Sequence, residues 1–571
     1  MRFRPLALFA LTAGLAVMIG DVSPTDAQEK QQKAGKKNKK KVDPPADPAP
    51  PAGADEKPPV KPVDAGAGLA TPATKDAAAL ARVIDAEVNR KLAEAKLVAS
   101  AGCSDEEFLR RVCLDVIGVI PAADRARAFL DDRSPDKRAK LIDELLADPH
   151  FGRRMADIWT AKLFPRDSNN RFVLKEPLYK WLEDEFNKNA GWDKLVTHLV
   201  TATGTVAENP AATYFLANRS VDKLTDTTTQ HFLGIQLQCA QCHNHPFTSW
   251  KQTEYWGMAG FYSKVKADAP KNANKGGDNT TIGVTEGPAR TKQKDFFPES
   301  AKNVPVRFLG GEVPQLSATD PYRPVLAKWM TAPENPFFAK ALVNRTWAHL
   351  FGRGFVNPVD DMLPEHEPSH PELMAALARH VATTGEYDLK YLIKAICLSD
   401  AYQRTSKPTP ANKDDKTLFS HMSVKVLSPE QLFDSLGQVT GPARAEGKVG
   451  GKGAGAAAKG PRLGARDQFV TFFLAGAETT SATDYEAGIP QALRLMNSPV
   501  ANNPAAVRAI TGGTSKPEEA VERIYLAALS RRPTGEELKT LTAYAARNGG
   551  PTAFGDILWA ALNSSEFTLV R

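Results

Sequence analysis

Cysteine is scarce in this chain: five residues in 571, at Cys103, Cys113, Cys239, Cys242 and Cys397. So few thiols exclude a disulfide scaffold, and the odd count leaves one over if the rest pair. None precedes Cys103, so a lipid-modified N-terminus has no attachment point. Past the first twenty residues, no apolar run approaches the roughly twenty that a membrane-spanning helix needs. Strand signals are few, the best being the short segment 304–309, and no internal repeat marks a solenoid. The G-x-S-x-G elbow, the P-loop and the G-x-G-x-x-G turn are all missing. No nucleophile, base and orienting group can be assembled from motifs, which makes a hydrolase the least supported class and leaves enzymatic activity open.

Charge is also in short supply over most of the chain. The net +7, from 73 basic and 66 acidic residues, is concentrated at 28–41, where seven lysines face only Glu29; residues 81–571 keep +4. A nearly neutral body argues against a nucleic-acid partner. The lysine tract reads either as a contact with an anionic cell envelope or as a solvated tether with no partner. Arg2 and Arg4 ahead of an apolar run at 5–20, with the small Ala27 at the cleavage position, predict a secretory signal over 1–27. Residues 28–77, rich in Lys, Pro and Ala, carry too little apolar surface to fold and read as a disordered linker. The expected location is the periplasm or cell envelope, with no transmembrane span in the mature chain.

What is present is a helical body. With 42% hydrophobic and 24% charged residues the chain is neither disordered nor collagen-like as a whole, and its length suits two or three domains. Ser134-Pro135-Asp136 offers a helix start ahead of Leu141, Ile142, Leu145 and Leu146 on one face. Capping boxes are expected at Ser369 with Glu372, Ser428 with Gln431, Ser515 with Glu518 and Thr534 with Glu537. The fold class expected is mainly α: a helical domain over 78–265, a polar connector over 266–318, and a second helical domain over 319–568 with a flexible glycine-rich insertion at 441–466.

Cys239-Ala240-Gln241-Cys242-His243 is the strongest local signal. Two thiols three residues apart can add across the two vinyl groups of a haem, and the next histidine is placed to ligate its iron. Chance would produce this pattern in such a chain on the order of once in a thousand. The apolar stretch 232–238 is expected to be a helix leading into the motif. Met258 is the nearest downstream methionine and stands as candidate second axial ligand. Around it, Phe247, Trp250, Tyr255, Trp256, Phe261 and Tyr262 read as a cofactor pocket wall or as plain core.

Three other readings stay open. Zinc or another metal is held by Cys239, Cys242, His245 and His231, since His231, Cys239 and Cys242 share one face if the helix is continuous. Alternatively, Cys239 and Cys242 form a redox-active disulfide. In the third, the thiols are core residues and the histidine caps a helix end.

Two further patterns invite a functional reading. His366-Glu367-Pro368-Ser369-His370 matches the H-E-x-x-H string of zinc proteases, but Pro368 and Pro371 break the helix that would present both histidines on one face. The polar run Asn344-Arg345-Thr346-Trp347-Ala348-His349, followed by Phe351-Gly352-Arg353-Gly354, reads as a buried network or as a binding surface.

Arg110-Arg111-Val112-Cys113-Leu114-Asp115, Ser134-Pro135-Asp136, Asp148-Pro149-His150-Phe151-Gly152 and the run from Gln238 through His243 to Phe247 resemble the cytochrome-like domain of many secreted planctomycete proteins. Asn335-Pro336-Phe337-Phe338, Val343-Asn344-Arg345, Phe351-Gly352-Arg353-Gly354 and Pro368-Ser369-His370-Pro371-Glu372-Leu373 are similar to the planctomycete-specific domain that usually follows it. Further echoes are Ala401-Tyr402-Gln403-Arg404, Leu495-Met496-Asn497-Ser498-Pro499, Arg531-Arg532-Pro533 and Leu562-Asn563-Ser564-Ser565-Glu566-Phe567. The resemblance covers nearly everything after residue 80. It implies an exported envelope protein of undetermined activity, with c-type haem attached through Cys239 and Cys242 and ligated by His243. On that reading the protein transfers electrons or senses redox state together with a redox partner. The alternative is an envelope binding or scaffold protein with a structural metal or no cofactor. Cys113 departs from the family pattern, where an aromatic or aliphatic residue is expected. The Lys/Pro tether stands where some relatives carry a separate cytochrome domain, so no multi-haem relay is implied.

Overall fold

The computed structural model describes residues 69–164, 175–246, 248–268, 283–287, 297–363, 365–441, 464–474, 489–497, 503–549 and 551–571. The expected signal (1–27), most of the linker (28–77), Phe247, and most of the connector stretch 268–295 and of the insertion 441–466 lie outside them.

The chain is mainly helical, as its periodicity and caps imply. Among the described residues the first region holds α1 (Ala77–Glu94), α2 (Asp105–Val116), α3 (Ala123–Asp131), α4 (Lys137–Ala147), α5 (His150–Leu163), α6 (Glu176–Asn187), α7 (Trp192–Thr201), α8 (Thr213–Ala217), α9 (Val221–Thr228) and α10 (Gln252–Ala259). After the connector come α11 (Arg323–Thr331), α12 (Phe338–Phe351), α13 (Pro371–Ala382), α14 (Leu389–Leu398), α15 (Pro429–Thr440), α16 (Ala465–Leu474), α17 (Ile489–Met496) and α18 (Pro504–Thr511). The series ends with α19 (Pro517–Leu529), α20 (Gly535–Arg547), α21 (Pro551–Leu562) and α22 (Ser565–Thr568). Strands are short: β1 (Gly204–Thr205), β3 (Gly283–Glu286) and β2 (Val265–Asp268) form one antiparallel sheet in that order, and β4 (Lys425–Val426) pairs with β5 (Leu569–Val570). No described helix is long and apolar enough to cross a membrane.

Proline position decides where the expected caps form. Ser428 directly precedes Pro429 at the first helical position, so its hydroxyl accepts from Gln431 N (3.3 Å) and Gln431 returns a bond to Ser428 N (3.0 Å). Thr534 and Glu537 close the same box on α20. At 369 and 515 the expected boxes do not form. Pro371 and Pro517 start α13 and α19 one residue later than those boxes require, so His370 and Lys516 become the caps. The helix start at Ser134 is displaced likewise: Ser134 turns back to Asp132, and α4 begins at Lys137 after Asp136. The segment 304–309, read as the best strand, pairs with no strand. Pro305 has no N–H to donate, and Arg307 N bonds Gly257 O (3.1 Å) while Phe308 stacks between Phe261 and Trp329 at 5.2 and 4.9 Å.

Two hydrophobic clusters make the interior, and they do not divide at the polar connector. One runs from Ala77 to Met422 and adds Leu526; the other runs from Leu427 to Val570 and takes in Leu114 and Ile120. Helix α2 lies between them, with every residue from Phe108 to Val116 buried. Because that span includes three charged residues, each needs partners. Arg110 donates to Ala528 O (3.1 Å) and Phe567 O (2.7 Å). Arg111 donates to Tyr402 O (2.8 Å), Arg404 O (3.0 Å) and Arg571 O (2.7 Å), and pairs with Glu107 at 2.7 Å. Asp115 pairs with Lys425 at 2.6 Å and accepts from the Tyr402 hydroxyl at 2.9 Å, while its carbonyl bonds His349 Nε2 at 2.8 Å. This polar seam ties α2 to segments more than 230 positions away. Cys113, the departure from the family pattern, is core, and burial pushes its thiol up to about 12.

Candidate cofactor site

The approach to the cysteine motif is a broken helix. From α9 the chain makes one π turn, Thr229–Leu233, and stops at Gly234 in the left-handed region (φ 70°). A side chain at 234 would collide with Met362 Cε, and Gly234 O accepts from Met362 N at 2.9 Å. The helix expected over 232–238 therefore ends at Leu233. Beyond it Ile235 and Leu237 point inward and Gln236 outward, until a single 3-10 turn forms at Gln238–Gln241. Ala240 plugs that turn into the core, and Cys239 and Cys242 on either side of it are exposed and free.

The turn is held through its main chain. Trp256 Nε1 donates to Gln241 O at 3.0 Å, and Gln252 Nε2 donates to Gln241 O (3.1 Å) and Cys242 O (3.0 Å). Asn244 Oδ1 accepts from Gln252 N at 3.0 Å, and His245 N bonds Trp250 O at 2.8 Å. All of these partners sit on or just before α10. The His243 ring is exposed, with Nδ1 2.7 Å from Asn244 O. A carbonyl can only accept, so Nδ1 donates, and in the neutral ring Nε2 is the nitrogen with a lone pair for a metal. Two free thiols and a histidine oriented by a carbonyl are the donor set that covalent haem attachment requires.

The remaining candidates lie elsewhere. Met258 is fully buried on α10, inside the first hydrophobic cluster, while His243 faces water. The aromatics Trp250, Tyr255, Trp256, Phe261 and Tyr262 belong to the same cluster and are core. Tyr255 also donates to Asp226 Oδ1 at 3.1 Å, and burial raises the Asp226 carboxyl to about 6. His231 sits in the π turn with its Nδ1 enclosed and unpartnered; burial, then Arg345 and Lys162, push its pKa well down. The break at Gly234 removes the shared helical face that the metal alternative needs. Among the described residues no three His, Cys, Asp or Glu side chains are gathered as for a metal ion, so His231, Cys239, Cys242 and His245 do not form one site.

Support for the motif comes from α12, which local pattern could not link to it. Arg345 caps the π turn, donating from Nε to His231 O (3.1 Å) and from Nη2 to Gln230 O. Gln236 Nε2 donates to Asp360 Oδ1 at 2.9 Å, and Gln230 bonds the other oxygen of Asp360. Asn344 is fully buried and bonds Val356 O (3.0 Å), Val359 O (3.2 Å) and Val356 N (3.1 Å). The run 344–354 is thus a buried network, not a binding surface. Its only sequence signal was an excess of hydrogen-bonding residues in an apolar helix. The H-E-x-x-H string is no metal site either: His370 is buried against Ser369 (3.0 Å), while His366 is exposed beside Asp361 (3.0 Å).

Residues 83–267 match the PSCyt2 family model, described as a protein of unknown function (DUF1549), and residues 322–545 match PSD1, likewise a protein of unknown function (DUF1553). No curated protein and no solved structure matches the chain. With its Cys-x-x-Cys-His turn in the first of these regions and the α12 network in the second, the chain belongs to the planctomycete family that joins a cytochrome-like domain to this C-terminal domain.

Proposed function

We propose that the protein is an exported single-haem protein of the cell envelope, attaching haem through Cys239 and Cys242 and passing electrons to, or sensing the redox state of, a partner that docks on the exposed turn. The observation that carries this reading is the state of His243, whose Nδ1 is tied to Asn244 O at 2.7 Å while the two adjacent thiols are exposed and free. Cys239 Sγ and Cys242 Sγ would hold the haem through thioether bonds, and His243 Nε2 would ligate its iron. Bound there, haem supplies one-electron chemistry at a surface that a partner can reach. The lysine tract at 28–41 holds the protein against an anionic envelope by charge.

The test is an absorption spectrum of protein made in a host that matures c-type cytochromes. A Soret band that stays with the denatured polypeptide, and is lost in Cys239→Ala and Cys242→Ala, is the expected result. Absence of covalent haem in the wild-type chain rejects the proposal. Stoichiometric zinc in that same preparation would return the motif to a structural role.

A further inference from the structure

A cavity of about 220 Å³ opens between the turn at Gly118, helix α5 and helix α15, away from the cysteine turn. Arg154 lines it and is only 8% exposed, with Nε enclosed and unpartnered. Among the described residues no carboxylate comes within ion-pair distance of its guanidinium. Most of the surrounding carboxylates are already paired. Arg466 pairs with Asp157 at 2.7 Å and Asp434 at 2.8 Å, Arg153 holds Asp434 at 2.9 Å, and Lys425 holds Asp115 at 2.6 Å. Asp157 also accepts from the Tyr179 hydroxyl at 3.1 Å. Glu430 attracts Arg154 from beyond ion-pair distance, and neither of the two is in an ion pair among the described residues. A guanidinium does not shed its proton as a lysine can, so burial leaves it charged and in need of an anion.

Two glycines shape the space. At Gly118 (φ 73°) a Cβ would come within 2.8 Å of Arg154 Cδ, so that turn presses on the arginine's stem and fixes its course. At Gly437 on α15 nothing lies within 4 Å of where a Cβ would stand, so that side stays open.

The geometry points to an oxyanion site: Arg154 receives a carboxylate, phosphate or sulfate group of a small molecule through the paired N–H donors of its guanidinium. The volume equals roughly seven water molecules, which suits a small anion or the charged end of a larger ligand. Arg466 and Arg153 offset the charge of Asp157 and Asp434, which line the same cavity. The site shares no residue with the cysteine turn.

Titration of the full chain with sodium phosphate, sulfate or succinate, at constant ionic strength and against chloride, reads out the site as a shift in melting temperature. At least one anion is expected to give a saturable rise, and their ranking separates a tetrahedral oxyanion from a carboxylate. Arg154→Met is expected to weaken that binding about tenfold or more. Gly437→Leu, which fills the open space from a helix position without neighbours, is expected to do the same with helix content unchanged. A rise no larger than that with chloride, or a saturable rise that survives Gly437→Leu, overturns the inference. Should Arg154→Met fail to fold, anomalous scattering from selenate in the wild-type crystal decides: selenium beside Arg154 supports the site, and selenium found only elsewhere rejects it.

Discussion

The turn around Cys239 and the polar seam around Asp115 are held by opposite means. In the turn, neighbours grip carbonyl oxygens of Gln241 and Cys242, and the two thiols are left uncommitted in water. In the seam the side chains themselves are the fastening: Arg110, Arg111 and Asp115 are buried, and each is bonded to segments hundreds of positions away. The difference separates chemistry from architecture. Side chains that the fold does not use remain free to react, while the charged run Arg110 to Asp115, which looks equally functional, is consumed in joining the first family region to the second. Removing one partner while the other stays buried would cost several kcal/mol.

The largest effect that would break this comparison is expected in the seam. Asp115→Ala strands the Lys425 ammonium and should cost about 3–5 kcal/mol in chemical denaturation, whereas replacing both partners by apolar residues should recover much of the loss. A cost for Asp115→Ala below about 1 kcal/mol would mean that the seam is not what joins the regions.

Acid should come next. Burial lowers His349 to about 3 and His370 to about 4, from an ordinary value of 6.5. Depressed folded values mean that the unfolded chain binds more protons at acidic pH. The stabilisation is therefore complete above pH 6.5 and fades as pH falls toward 4 and 3. Moving from neutral pH to about pH 5 should cost about 2 kcal/mol for each of these two histidines. His349→Gln should flatten part of that slope, and an unchanged slope would remove His349 from it.

The smallest effect is expected at the turn. In protein prepared without haem, Cys239→Ala and Cys242→Ala should each change unfolding stability by no more than about 0.5 kcal/mol, because both thiols are exposed and bond nothing. A larger loss would show that the turn is architecture after all.

Much of the helical class was legible because periodicity and caps are local. The boxes at Ser428 and Thr534 formed where residue spacing and proline position agreed, and those at Ser369 and Ser515 failed where proline moved the start by one residue. The cysteine motif was equally legible, since its chemistry lies in five consecutive residues. Its surroundings were not. The helix expected to lead into it stops at Gly234, in the left-handed region, where Met362 on a distant segment leaves no room for a side chain. Arg345, which caps that approach, lies 114 positions from the carbonyl it bonds.

By itself the amino-acid sequence determined the helical class, the two-domain family pattern and the Cys-x-x-Cys-His motif, all properties of neighbours along the chain. Only the tertiary structure decided that His231 and Met258 are kept from the cysteines, that Arg110 to Asp115 join the two regions, and that among the described residues no carboxylate reaches ion-pair distance of Arg154. Burial and charge pairing arise between residues far apart in the chain, and no local pattern records them.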